Sequence, residues 1–135
     1  MKSAILPLFS ILAIAQLHAQ SNAQAENQWT QVTHTAQAQY YSQFGKYATN
    51  LAELGPPAGG NATASAADLI SGDLASGEKS GYKYTLEISP KGYNINGIPV
   101  TFNVTGSRTF YSNESMIVFQ NFGPEPATAQ SQEVK

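Results

Sequence analysis

The chain has 135 residues, enough for one domain with its own core and too few for two of ordinary size. Its formal charge is −2 and 12% of its residues are charged, which excludes the dense Lys/Arg stripe of a phosphate-backbone binder, so no nucleic-acid partner is expected. With no cysteine, thiolate zinc sites, thiol catalysis, disulfides and a lipid-modified cysteine anchor are ruled out by inventory.

Residues 1–23 read as a signal peptide or N-terminal hydrophobic segment. Lys2 precedes an apolar run from Ile5 to Ala15, broken only by Pro7 and Ser10. That run matches the ~7–15 residues of a signal core and falls short of the ~20 needed to cross a bilayer. Small residues offer cleavage after Ala19 or Ala23. Export to the periplasm or the extracellular space is therefore expected, with membrane contact only if the segment stays uncleaved.

From Gln24 or Ala25 to Gly45 the spacing predicts one long amphipathic helix. Trp29, Val32, Ala36, Tyr40, Phe44 and Tyr47 recur at steps of three or four and form a stripe. Gln28, Gln31, Gln37 and Gln43 fall between them and are expected to stay wet. Glu26 suits the positive end of the helix dipole, and Gly45 is the expected stop. Tyr47 to Leu54 is expected to continue as a short turn or a second helical piece, closed by Gly55-Pro56-Pro57. A second helix over Ala66 to Ser76, with Leu69, Ile70 and Leu74 on one face, is expected in the connecting loop.

The period becomes two at Tyr82, Tyr84, Leu86 and Ile88, a half-buried antiparallel strand. Ser89-Pro90-Lys91-Gly92 is a turn, and Tyr93 and Ile95 begin the return. Pro99 follows too soon for Asn96-Gly97 to be a hairpin turn, so Ile98 to Gly106 is expected to be a less regular connection with an extra strand at Val100, Phe102 and Val104. Arg108 to Tyr111 and Met116 to Gln120 complete the sheet. The expected architecture is α+β: a long N-terminal amphipathic helix on a four-stranded antiparallel β-meander. The domain covers 24–122, and 123–135 form a flexible C-terminal tail.

Few residues invite chemistry. His34 lacks a second histidine at metal-binding spacing and any GxSxG-type nucleophile motif, so it is expected to be solvated or packed at an edge. Asp68 and Asp73 do not share a helix face, and Glu114 lies in a turn, so no glycosidase pair is indicated. The tyrosines at 40, 41, 47, 82, 84, 93 and 111 mostly fit core positions rather than a stacking platform. Arg108 is expected to pair with Glu87 or Glu114, or to bond loop carbonyls. No catalytic residue, cofactor-binding residue or metal ligand is assigned, and no enzymatic role is expected.

Several runs resemble type IV pilins and type II secretion pseudopilins. Tyr40-Tyr41-Ser42-Gln43-Phe44-Gly45-Lys46-Tyr47 resembles the aromatic end of the pilin helix with its FG-x-Y step. Leu74 to Tyr82 (LASGEKSGY) resembles the LA-x-G-x-K-x-GY entry to the first strand. Gly92-Tyr93-x-Ile95, Pro99 and Thr105 to Ser112 (TGSRTFYS) resemble the GY-x-I…P…TG-x-R-x-FY-S meander. The N-terminus departs from the family: it has no glycine-Phe junction, no glutamate among residues 3 to 25 and no long apolar helix. The resemblance implies a pilin-like structural or interaction protein whose partners are other envelope or secretion-system proteins, pilin-like subunits among them. The alternative is a soluble extracytoplasmic ligand-binding or adhesin module that reuses the fold.

Overall fold

The computed structural model describes residues 28–134. The expected targeting segment and the first helical turn around Glu26 lie outside that range. Helix α1 runs over residues 28–44. It stops where Gly45 takes φ 72° and donates its N–H to the Tyr41 carbonyl at 2.8 Å, a left-handed exit that glycine adopts without penalty. Two one-turn helices follow, α2 (Leu51–Leu54) and α3 (Gly72–Ala75), capped by the Asn50 and Ser71 side chains.

The sheet among the described residues has six strands: β1 (Glu78–Lys79), β2 (Tyr82–Ser89), β3 (Gly92–Pro99), β4 (Thr109–Asn113), β5 (Val118–Asn121) and β6 (Gln132–Glu133). They lie side by side in chain order, every neighbour antiparallel. This overturns the four-stranded meander expected from sequence. Neither additional strand is long enough to show a period. β1 is joined to β2 by Ser80-Gly81, with φ 54° and 82°, the paired positive dihedrals of a two-residue hairpin turn. β6 comes from the segment expected to be a flexible tail. That segment returns to the sheet edge: Val134 N–H donates to the Val118 carbonyl at 2.9 Å, and Ala127 is buried.

Three further expectations are corrected. β3 continues through Asn96-Gly97 to Pro99 because Gly97 is not a turn residue here. It lies under the Tyr84 ring, where a Cβ would meet Cε1 at 2.9 Å. Pro99 is tolerated because β3–β4 pairing has already ended at Gly97. No strand forms at Val100, Phe102 and Val104; the Val104 and Thr105 N–H groups both donate to the Thr101 carbonyl and close a turn. The helix expected over Ala66 to Ser76 shrinks to α3, since Asp68 has φ 59° and residues 67–70 donate their N–H groups to carbonyls of Glu53, Leu54 and Gly55. Donors committed to another segment cannot close helical turns.

Alternation divides the sheet into two faces. Tyr82, Tyr84, Leu86, Tyr93, Ile95, Phe110 and Val118 point to one side and form the core with Ala36, Tyr40, Leu51, Leu54 and Leu74. Helix α1 lies on that side. Its buried face is not purely apolar, for Thr30, Thr33, His34 and Gln37 are buried with Ala36 and Tyr40. Gln37, expected to be wet, behaves as a strand partner for the chain beyond Gly45. Its Nε2 donates to the Ala48 carbonyl at 3.0 Å, and its Oε1 accepts the Ala48 N–H at 2.8 Å. Gln28, Gln31 and Gln43 are exposed.

Candidate functional site

His34 sits in the middle of α1 with 2% of its surface exposed, not at an edge. Helical spacing from Thr30 and Gln37 aims it at the sheet, where β3 and β4 bring Tyr93 and Ser112 beneath it. Its Nδ1 lies 2.6 Å from the Tyr93 hydroxyl oxygen and its Nε2 2.7 Å from Ser112 Oγ. Ser112 Oγ in turn donates to the Ile117 carbonyl at 2.7 Å.

The direction of the protons follows from this geometry. A carbonyl only accepts, so the single Ser112 proton is committed to Ile117. Ser112 Oγ must then accept from His34, which places the imidazole proton on Nε2. Nδ1 of the neutral ring is left as an acceptor, and Tyr93 donates to it. The relay Tyr93 → His34 → Ser112 → Ile117 carbonyl satisfies every member.

A serine beside a histidine suggests nucleophilic catalysis, but this pair is assembled the wrong way round for it. A general base must present a bare nitrogen to the hydroxyl it activates. Here the nitrogen facing Ser112 carries the proton, and the hydroxyl is buried. The arrangement can fasten helix to sheet, and it favours the neutral ring.

Electrostatics agree. Burial holds the His34 pKa below its ordinary value of 6.5. Tyr93 is pushed up to about 12, first by burial, then by Tyr47 and by Glu114. Tyr47 packs edge-on against the Tyr93 ring at 4.8 Å, and Glu114, in the β4–β5 turn, lies over Gly92. Below pH 6.5 the unfolded chain takes up a proton that folded His34 resists, so the stability contributed by this residue is complete above that pH and is lost as pH falls. Above pH 10 the unfolded chain releases the Tyr93 proton first, so stability is lost again as pH climbs toward 12. Denaturation midpoints measured against pH are expected to show both limbs. His34→Gln should flatten the acid limb below pH 6.5 and Tyr93→Phe the alkaline one.

The remaining sequence candidates are dispersed. Asp73 pairs with Lys79 at 3.1 Å, and the Lys79 ammonium also lies 5.1 Å from the Trp29 ring centroid. Asp68 is exposed in the loop before α3. Arg108 Nη1 donates to Gln120 Oε1 at 3.0 Å, and its guanidinium lies over the Phe122 ring at 4.7 Å. Tyr40, Tyr82, Tyr84 and Tyr93 are buried, whereas Tyr41 is 50% exposed. Among the described residues no cluster of three or more His, Asp or Glu side chains could hold a metal, and no helix is long and apolar enough to cross a membrane.

The relay is not legible from the apolar stripe, because Thr30, Thr33, His34 and Gln37 are polar and yet buried. Their steps of three, one and three continue onto Tyr40 and trace one helix face as well as the apolar set does. No family model matches the chain, and no curated protein or solved structure matches it either.

Proposed function

We propose that this is an exported, non-enzymatic, pilin-like interaction protein of the periplasm or extracellular space, with other envelope or secretion-system proteins as its partners. One observation carries the reading: the residues that resemble pilin and pseudopilin motifs occupy the points where this chain turns or locks. Gly45 of the FG-x-Y step ends α1, and Tyr47 packs on Tyr93. Gly81 and Tyr82 of the strand entry meet Thr105 and Gly106 of the TG-x-R-x-FY-S run, and the Tyr82 hydroxyl donates to the Arg108 carbonyl at 2.8 Å. Ser112 of the same run completes the histidine relay. Motif positions spent on architecture leave recognition to surfaces, and Tyr41, Met116 and Phe122 are large apolar side chains that stay exposed.

The test is photo-crosslinking in the producing cell from a benzoylphenylalanine at Tyr41 or Met116, with mass spectrometry of the mature N-terminus. Export with a start at Gln20 or Gln24, and crosslinks to envelope or secretion components, is the expected outcome. An intact N-terminus on a cytoplasmic protein would contradict it, as would an exported protein that yields no crosslink from either position.

A further inference from the structure

The sheet face turned away from α1 carries four asparagines at strand positions. Its outward positions include Lys83, Thr85 and Glu87 on β2, Asn94, Asn96 and Ile98 on β3, Thr109, Tyr111 and Asn113 on β4, and Phe119 and Asn121 on β5. Asparagine is depleted from strands, since its short amide competes with the backbone and covers little of the pleat. Two of the four have a local structural task. Asn121 Nδ2 donates to the Glu125 carbonyl at 3.1 Å, and Asn113 Oδ1 accepts from the Ser115 N–H and hydroxyl in the β4–β5 turn. Asn94 and Asn96 lie in the middle of a central strand. Asn94 Oδ1 accepts from the Tyr111 hydroxyl at 3.1 Å, which leaves its amide donors unused. Among the described residues the Asn96 side chain makes no hydrogen bond. Where local preference is overridden without a structural return, a functional reason is expected.

The register sets Thr85, Asn96, Tyr111 and Phe119 side by side in one row across four strands, about 14 Å long at the usual strand spacing. The Tyr111 and Phe119 rings lie 6.3 Å apart and tilted by 42°. No charge falls within the row; Lys83 and Glu87 flank Thr85 on β2, and Glu133 lies beyond Phe119 at the β6 end.

We propose that this row binds a neutral oligosaccharide. The two rings offer stacking surface to the apolar faces of sugar rings, and the Asn94 and Asn96 amides provide donors and acceptors for adjacent hydroxyls. The row itself carries no cation, and the one lysine on its flank, Lys83, is outnumbered by the carboxylates of Glu87 and Glu133, a border that does not suit a phosphorylated or acidic ligand. A second protein sheet laid over it would bury the Asn96 amide without a partner, which is costly. The site rests on the composition of the sheet and is independent of the envelope partners proposed above.

Titration of the full chain with cellotetraose, maltotetraose and chitotetraose, followed by amide NMR, tests it. At least one probe is expected to give saturable shifts confined to Thr85, Asn96, Tyr111, Phe119 and their neighbours. Tyr111→Ala should weaken that binding at least about tenfold. Asn96→Thr should weaken it comparably while raising the thermal midpoint, because threonine is the better strand residue. The proposal is overturned if none of the three probes shifts the row at tens of millimolar, or if the shifts fall on α1. It is also overturned if Asn96→Thr lowers the midpoint, which would make the amide structural, or if self-association alone perturbs these resonances.

Discussion

His34→Ala is expected to lower the folding free energy by about 3 to 5 kcal/mol, the range for emptying a large buried site and orphaning its hydrogen-bond partners. The ring lies between α1 and two strands, and its removal leaves the Tyr93 hydroxyl without its acceptor and Ser112 Oγ without its donor. Small domains hold only about 5–15 kcal/mol in total, so this single change approaches the limit of what the fold tolerates. Tyr93→Phe and Ser112→Ala should each cost about 1–3 kcal/mol. In a double-mutant cycle either one should lose most of its effect once His34 is gone, because the relay acts as a unit. Urea midpoints at constant m measure all of this. A His34→Ala loss below about 1 kcal/mol would show that the helix–sheet joint does not depend on the relay.

Gly106→Ala is the second large effect, at about 2–4 kcal/mol from overpacking and a displaced hydrogen bond. A Cβ on Gly106 would come within 2.5 Å of Tyr82 Cζ and 2.6 Å of Cε1, and would press on the hydroxyl. The ring cannot swing aside freely. It is 1% exposed, packs on Tyr84 and Phe110, and is tethered through its hydroxyl to the Arg108 carbonyl. Removing that hydroxyl should relieve part of the clash. Tyr82→Phe with Gly106→Ala is therefore expected to be less damaged than the two single losses summed, and the same urea midpoints report it. Full additivity would mean that the Tyr82 hydroxyl is not what the new methyl group meets.

Legibility of the sequence tracked the length of each pattern. The end of α1 at Gly45 and the alternation of Tyr82, Tyr84 and Leu86 stand out because each pattern repeats several times. β1 and β6 have two residues apiece and are recruited by neighbours, β1 by the Ser80-Gly81 turn and β6 by the exposed edge of β5; no window along the chain contains that information. Asn96-Gly97 was ambiguous for a different reason. Glycine serves turns and close packing equally well, and only the Tyr84 ring across the strand decides between them. The relay leaves no mark in the apolar periodicity, because polar Thr33, His34 and Gln37 share the buried helix face of Ala36 and Tyr40. What cannot be seen in one dimension is that Tyr93 and Ser112, 59 and 78 residues away from His34, arrive beneath it.

The account depends on a histidine that is neutral, enclosed and proton-committed, holding the helix to the sheet rather than activating the serine beside it. Imidazole nitrogen NMR on the full chain measures this directly. A protonated Nε2, an unprotonated Nδ1 and a titration midpoint below 6.5 are the predicted results. A proton on Nδ1 with a bare Nε2 facing Ser112, or a midpoint above 6.5, would contradict it and return the pair to the list of reactive sites.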